Sequence, residues 1–185
     1  MTCICGIAEK GVVWIGGDSA CVSGWETQRT SISKVFLRGQ FLIGCAGSFR
    51  AHQIVKHFLD VELQPDDMDD ETFMVVHFAE ALRICLKEHG YTKIENNREE
   101  GGYFLVGYRS QLYYVASDFQ VNTNLNGVDA IGAGREYAIG VMLALGNLPP
   151  AERIKRALEI AEEMSGAVVG PFIIESTENG VVEVE

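Results

Sequence analysis

The order in which the hydrophobic period changes along this chain limits its possible folds more than any single motif. Residues 2–8 and 12–18 are apolar runs divided by Glu9-Lys10-Gly11, the signature of a tight hairpin turn. After the polar stretch "SGWETQRTSIS", "KVFLRGQFLIGCAG" predicts two more strands joined across Arg38-Gly39-Gln40. The period then lengthens. Phe49, Ile54, Val55, Phe58 and Leu59 form a helical stripe with Ser48 as its cap. A second helix is predicted over about 71–89, buried through Phe73, Val76, Phe78, Ala81, Leu82, Cys85 and Leu86 and stopped by Gly90. "YFLVGY" and "QLYYVAS" predict a hairpin across Arg109-Ser110, and "VDAIGAG" a further strand. Helices over 135–145 and about 150–163 come next, and "VVGPFIIES" and "GVVEVE" close the chain as strands.

Runs of strands followed by paired helices lack the alternation of a parallel α/β fold. Two antiparallel sheets stacked on each other, with a helix pair outside each, bury every apolar face. The predicted class is therefore α+β, a four-layer αββα sandwich. No linker or repeat interrupts it, so residues 1–185 are expected to form one domain.

Charge and cysteine usage exclude several functions. A net charge of −11 is wrong for a nucleic-acid binder, whose partner demands a basic face. No apolar run has bilayer length, and the first residues lack a signal peptide's basic and apolar blocks. A cytoplasmic protein with no membrane partner is expected. Five cysteines, mostly within apolar runs, suggest packed thiols rather than a disulfide framework. Cys3 and Cys5 share a strand face, but with no second pair and no nearby histidine they lack a zinc ligand set. The acidic "QPDDMDDE" lacks the ligand spacing of a calcium loop. "AIGAGREYA" invites a dinucleotide-binding reading, yet Tyr137 stands where the third glycine belongs and no βαβ unit precedes it. Neither metal nor cofactor is expected.

Thr2 directly follows Met1. A threonine hydroxyl needs a base, and the α-amine of the same residue can serve once Met1 is removed. Its reference pKa of roughly 7.7–8.0 leaves a useful neutral fraction. A nearby cation would lower the pKa of amine and hydroxyl, a carboxylate would hold the cation, and backbone N–H groups would face the oxyanion. Asp18 ends the second strand, where a hairpin return brings it near Thr2. Lys34 opens the next strand, and Gly44 lies in the one after. A strand-end lysine near the surface is expected to be replaceable by alanine at little cost in stability. Each residue also has an ordinary reading: a turn aspartate, a solvated edge lysine, a glycine before a helix.

Order and spacing in "VVWIGGDSA", "SKVF", "FLIGCAGS", "AIGAGREYA" and "ERIKRALEIAEEM" make the chain similar to proteasome β subunits, and more closely to the bacterial HslV peptidase. Both are N-terminal-nucleophile hydrolases. The resemblance covers nearly the whole length and implies that family's sandwich. It further implies Thr2 as nucleophile, its freed amine as proton acceptor, Lys34 as the pKa-lowering cation, Asp18 as its orienter and the Gly44 N–H as oxyanion donor. The substrate pocket it implies is lined by Cys21, Ile32, Leu42 and Ala46, uncharged side chains that favour an apolar residue before the cut bond. Also implied are a homo-oligomeric ring or double ring, polypeptide substrates and an ATP-dependent unfoldase as partner. Two positions depart from the family's pattern. Ala133 stands where a serine is usual, and Ser165, just after Glu162 and Glu163, where a supporting acid is typical. Those departures keep a second reading open, a non-catalytic assembly subunit that retains Met1. A third is an N-terminal-nucleophile amidase acting on small amides.

Overall fold

In the computed structural model, residues 2–23, 26–178 and 182–184 are described, with the backbone alone at 23 and 182–184. Strands β1 (Cys3–Glu9) and β2 (Val12–Gly17) turn through Lys10 and Gly11, both at positive φ (53° and 85°). That is the turn whose twist matches its strands. β3 (Ala20–Ser23) and β4 (Glu26–Arg29) form a separate two-stranded ribbon where the sequence suggests only a polar connection. Every β4 side chain is exposed, so no alternation marks it. β5 (Val35–Arg38) and β6 (Phe41–Ala46) lead into α1 (Phe49–Phe58), whose N-terminus Ser48 caps by accepting from the Arg50 N–H.

The next helix contains α2 (Asp70–Phe73), a π turn (Met74–Phe78) and α3 (Ala79–Glu88). The extra residue per turn resets the buried stripe. Met74 and Ala79 are buried, whereas Val76, expected inside, is half exposed, as is Phe58 at the end of α1. A hairpin of β7 (Lys93–Glu95) and β8 (Arg98–Glu100) turns at Asn96-Asn97, again at positive φ. β9 (Tyr103–Tyr108), β10 (Gln111–Val115), β11 (Val121–Thr123) and β12 (Val128–Gly132) follow. The chain then forms α4 (Arg135–Ala144), α5 (Pro150–Met164) with its proline in the first turn, β13 (Phe172–Ser176) and β14 (Val182–Val184). Residues 180, 181 and 185 of the expected last strand lie outside the described residues.

Two five-stranded antiparallel sheets result, ordered β12-β1-β2-β13-β14 and β11-β10-β9-β6-β5. Strand alternation sorts their side chains into three buried clusters. Cys3, Cys5 and Ile7 of β1 pack with Ile154, Leu158 and Ala161 of α5. Ile4, Val13 and Ile15 instead face Val35, Leu42 and Leu105 of the other sheet. Phe41, Ile43 and Phe104 meet Ile54, Phe73 and Leu82 of α1, α2 and α3. The strands are thus covered on both faces, which explains their nearly continuous apolar runs. No helix among the described residues is long and apolar enough to cross a membrane.

Gly16 shows how closely α5 is seated. A Cβ there would lie 2.3 Å from Ile154 Cγ2 and 3.2 Å from Leu158 Cδ1. Gly16→Ala is therefore expected to destabilise the protein by about 1–3 kcal/mol, the usual cost of overpacking. Urea denaturation would read this as a lower midpoint with an unchanged slope.

Candidate active site

Because Ile4 pairs with Gly17, the return of β2 carries Asp18 back to the start of β1. Asp18 Oδ1 accepts from the Cys3 N–H and Oδ2 from the Ala20 N–H, each at 2.9 Å. The loop after α5 supports this corner. Ser19 N–H donates to Val169 O at 2.8 Å, and Ser19 Oγ to Pro171 O at 2.6 Å.

Lys34 immediately precedes β5. Its Nζ donates to Thr2 Oγ1 at 2.7 Å and to Asp18 Oδ1 at 2.8 Å. The three side chains nominated from sequence thus meet at one point. Lys34 is not a surface residue, however: the side chains of Lys34 and Asp18 are 3% and 0% exposed. Burial pulls the Lys34 pKa below the ordinary lysine value, while the Asp18 charge and hydrogen bond pull it back. The expectation of a cheap alanine substitution therefore fails, because alanine would strand a buried carboxylate.

Thr2 is only 4% exposed, and its carbonyl accepts from the Ala133 N–H at 2.6 Å. Gly132 permits that approach. Its φ is 94°, and a Cβ there would stand 1.9 Å from Thr2 O. The glycine turn after β12 therefore grips the first residue of β1 through main-chain atoms, at the position where Ala133 has no hydroxyl to offer. Ser165 closes α5 and accepts from the Ala167 N–H at 3.4 Å, and Glu162 accepts from the Gly170 N–H at 2.9 Å. Both hold the supporting loop.

Thiol chemistry is suppressed nearby. Burial, with Asp18 adding to it, pushes the Cys3 thiol up to about 12, and burial holds Cys5 and Cys45 well above the usual thiol range. Buried protonated thiols are inert, so Cys3, Cys5 and Cys45 offer no competing nucleophile beside Lys34.

The oxyanion and pocket residues expected from sequence are placed differently. Gly44 lies mid-strand, paired with Val35 on one side and Leu105 on the other. Its missing side chain makes room for Ile4 Cγ2 and Ile15 Cγ2, 2.5 and 3.0 Å from where a Cβ would be. Leu42 and Ala46 share its strand parity and pack between the sheets, and neither bounds the cleft beside Thr2 and Lys34. Cys21 on β3 is half buried and close enough to Lys34 to interact electrostatically. Ile32 is also half buried, in the turn before Lys34, where its N–H donates to Thr30 Oγ1 at 3.1 Å. The narrow cleft that does adjoin Thr2 and Lys34 is bounded by Cys45, Gly47, Phe49 and His52. Gly47 has φ 113° and open space where a Cβ would be. A usable signal for these residues was present: the Ser48 cap fixes the start of α1, which puts Phe49 and His52 on one helix face, next to the end of β6.

No family model and no curated protein matches the sequence. Solved structures do. BPH from Thiobacillus denitrificans in complex with epoxomicin is 20% identical with a TM-score of 0.77, covering 100% of both chains. A second BPH structure from that organism is 20% identical, with a TM-score of 0.76 over 100% of this chain and 99% of that one. Eukaryotic HslV from Trypanosoma brucei is 18% identical, with a TM-score of 0.67 over 95% of this chain and 98% of that one. The chain has the fold of BPH over its whole length and that of HslV over 95% of it.

Proposed function

We propose that the protein is a threonine peptidase subunit of the proteasome and HslV kind, with the four-layer αββα sandwich of N-terminal-nucleophile hydrolases. The observation that carries this reading is the Lys34 ammonium, held at once by Asp18 Oδ1 at 2.8 Å and Thr2 Oγ1 at 2.7 Å. A cation so placed favours the alkoxide that an attacking threonine must form. Met1 lies outside the described residues, and its removal is part of the proposal. The freed amine takes the Oγ1 proton as Oγ1 bonds to the substrate carbonyl carbon. The same proton then passes to the leaving amine as the C–N bond breaks. Water, deprotonated by the amine, hydrolyses the resulting ester. Gly47, which bounds the cleft, replaces Gly44 as the proposed oxyanion donor. Subunits assemble into a homo-oligomeric ring or double ring in the cytoplasm, and an ATP-dependent unfoldase delivers unfolded polypeptide.

Epoxomicin, present in one BPH structure, is the natural probe. Protein made with ample methionine aminopeptidase should lose one methionine and gain one inhibitor mass, localised to Thr2 by tandem mass spectrometry. A fully trimmed chain that gains no mass ends the peptidase reading. That outcome would favour a non-catalytic assembly subunit, a reading supported by Ala133, which offers the terminal amine no hydroxyl. Lost amine contacts slow proton transfer by about 10- to 100-fold on general-base magnitudes.

A further inference from the structure

His52 has a property that the proposed chemistry does not use. Its ring is 2% exposed, yet neither Nδ1 nor Nε2 has a hydrogen-bond partner among the described residues. One face is packed against Phe36, edge to ring, at 4.8 Å between centroids. The ring also bounds the cleft beside Thr2. Its backbone N–H donates to Ser48 O one turn earlier, and helical side chains lean toward the N-terminus, which aims this one at the cleft. Burial, followed by the charges of Lys56, His57 and Lys34, pushes its pKa down to about 4. At neutral pH the ring therefore carries one donor and one acceptor. Leaving both unmet in a folded protein is costly, and the cleft is the side from which a partner can reach them. Rotation about χ2, a broad torsion in histidine, turns a nitrogen to the cleft wall.

A substrate carbonyl carbon attacked by Thr2 Oγ1 must come within about 3–3.5 Å of it. The side chain one bond before that carbonyl then lies against this cleft, whose volume of about 10 Å³ has to widen around it. Building on the peptidase reading, we propose that His52 determines specificity and selects a short, uncharged, hydrogen-bonding side chain before the cut bond: asparagine, threonine or serine. Of the other walls, the Phe49 ring and the protonated Cys45 thiol suit the carbon atoms of such a group, and the Ser48 hydroxyl is engaged as the α1 cap by the Arg50 N–H. Lys34 repels a basic one. This replaces the apolar preference expected from Cys21, Ile32, Leu42 and Ala46.

Asparagine and leucine are nearly isosteric, so a pair of fluorogenic peptides differing only in that residue isolates the hydrogen bond. In trimmed protein, kcat/KM is expected to be about fivefold higher for asparagine, the factor for one net hydrogen bond. His52→Phe keeps the ring packing and should reverse the order. His52→Gln keeps a donor and an acceptor and should preserve it. Leucine equal to or better than asparagine in the unmutated protein, or an unchanged ratio in His52→Phe, overturns the proposal. So does faster cleavage after aspartate, which would mean that the pocket reads the Lys34 charge. The unmutated ratio decides the matter even if His52→Phe fails to fold. Epoxomicin separates the two layers: an adduct on Thr2 with leucine preferred removes the His52 role alone, and no adduct removes the peptidase reading with it.

Discussion

Lys34→Met should abolish epoxomicin labelling of Thr2 and lower stability by about 3 kcal/mol, the low end of the cost of breaking a buried ion pair from one side. The Asp18 carboxylate would stay at 0% exposure with only backbone N–H donors. Asp18→Asn/Lys34→Met removes both charges and should recover most of the stability but none of the labelling. Urea denaturation of the single and double variants, paired with intact mass, separates a structural salt bridge from a catalytic one. Labelling that survives in Lys34→Met would remove Lys34 from the mechanism whatever the stabilities show.

Gly132→Ala should be comparably severe. Alanine at φ 94° is strained, and its Cβ would overlap the Thr2 carbonyl oxygen at 1.9 Å. Backbone strain of this kind costs about 1–3 kcal/mol, to which the Ala133 N–H to Thr2 O bond must be added once the strands part. We expect a total near 3 kcal/mol and loss of Thr2 labelling even under conditions where the variant remains folded. Gly47→Ala is the informative contrast. Its φ of 113° is strained too, but a Cβ there meets nothing within 4 Å, so the Gly132 variant should be less stable by thermal melting.

That Thr2, Asp18 and Lys34 meet was legible because the approach of Asp18 depends on short-range arithmetic. A two-residue turn at Lys10-Gly11 determines that Gly17 opposes Ile4, and Asp18 then has nowhere to go but beside Cys3. Gly44, Leu42 and Ala46 were misplaced because their role depends on strand parity relative to a distant sheet. Phe41, Ile43 and Cys45 take the helix side of β6, which leaves even-numbered residues facing Ile4 and Ile15. An apolar run buried on both faces carries no alternation from which to read that choice. The β3–β4 ribbon escaped for the opposite reason, since its second strand is polar throughout. The β7–β8 hairpin did leave a sign, the Asn96-Asn97 pair in the left-handed region. The Ser48 cap signals the position of His52, but only three-dimensional packing reveals that its nitrogens go unmet among the described residues.

The main-chain grip on Thr2 bears on the timing of maturation. An aminopeptidase must draw several residues of an extended terminus into its own cleft, yet Thr2 is withdrawn from solvent and tied through its carbonyl to the turn after β12. On the proposed reading, excision has to be completed on the nascent chain, before the turn some 130 residues downstream has been synthesised and can close over it. Overproduction that outruns the host's aminopeptidase would then lock the methionine in place, and incubating the finished protein with more enzyme would not release it.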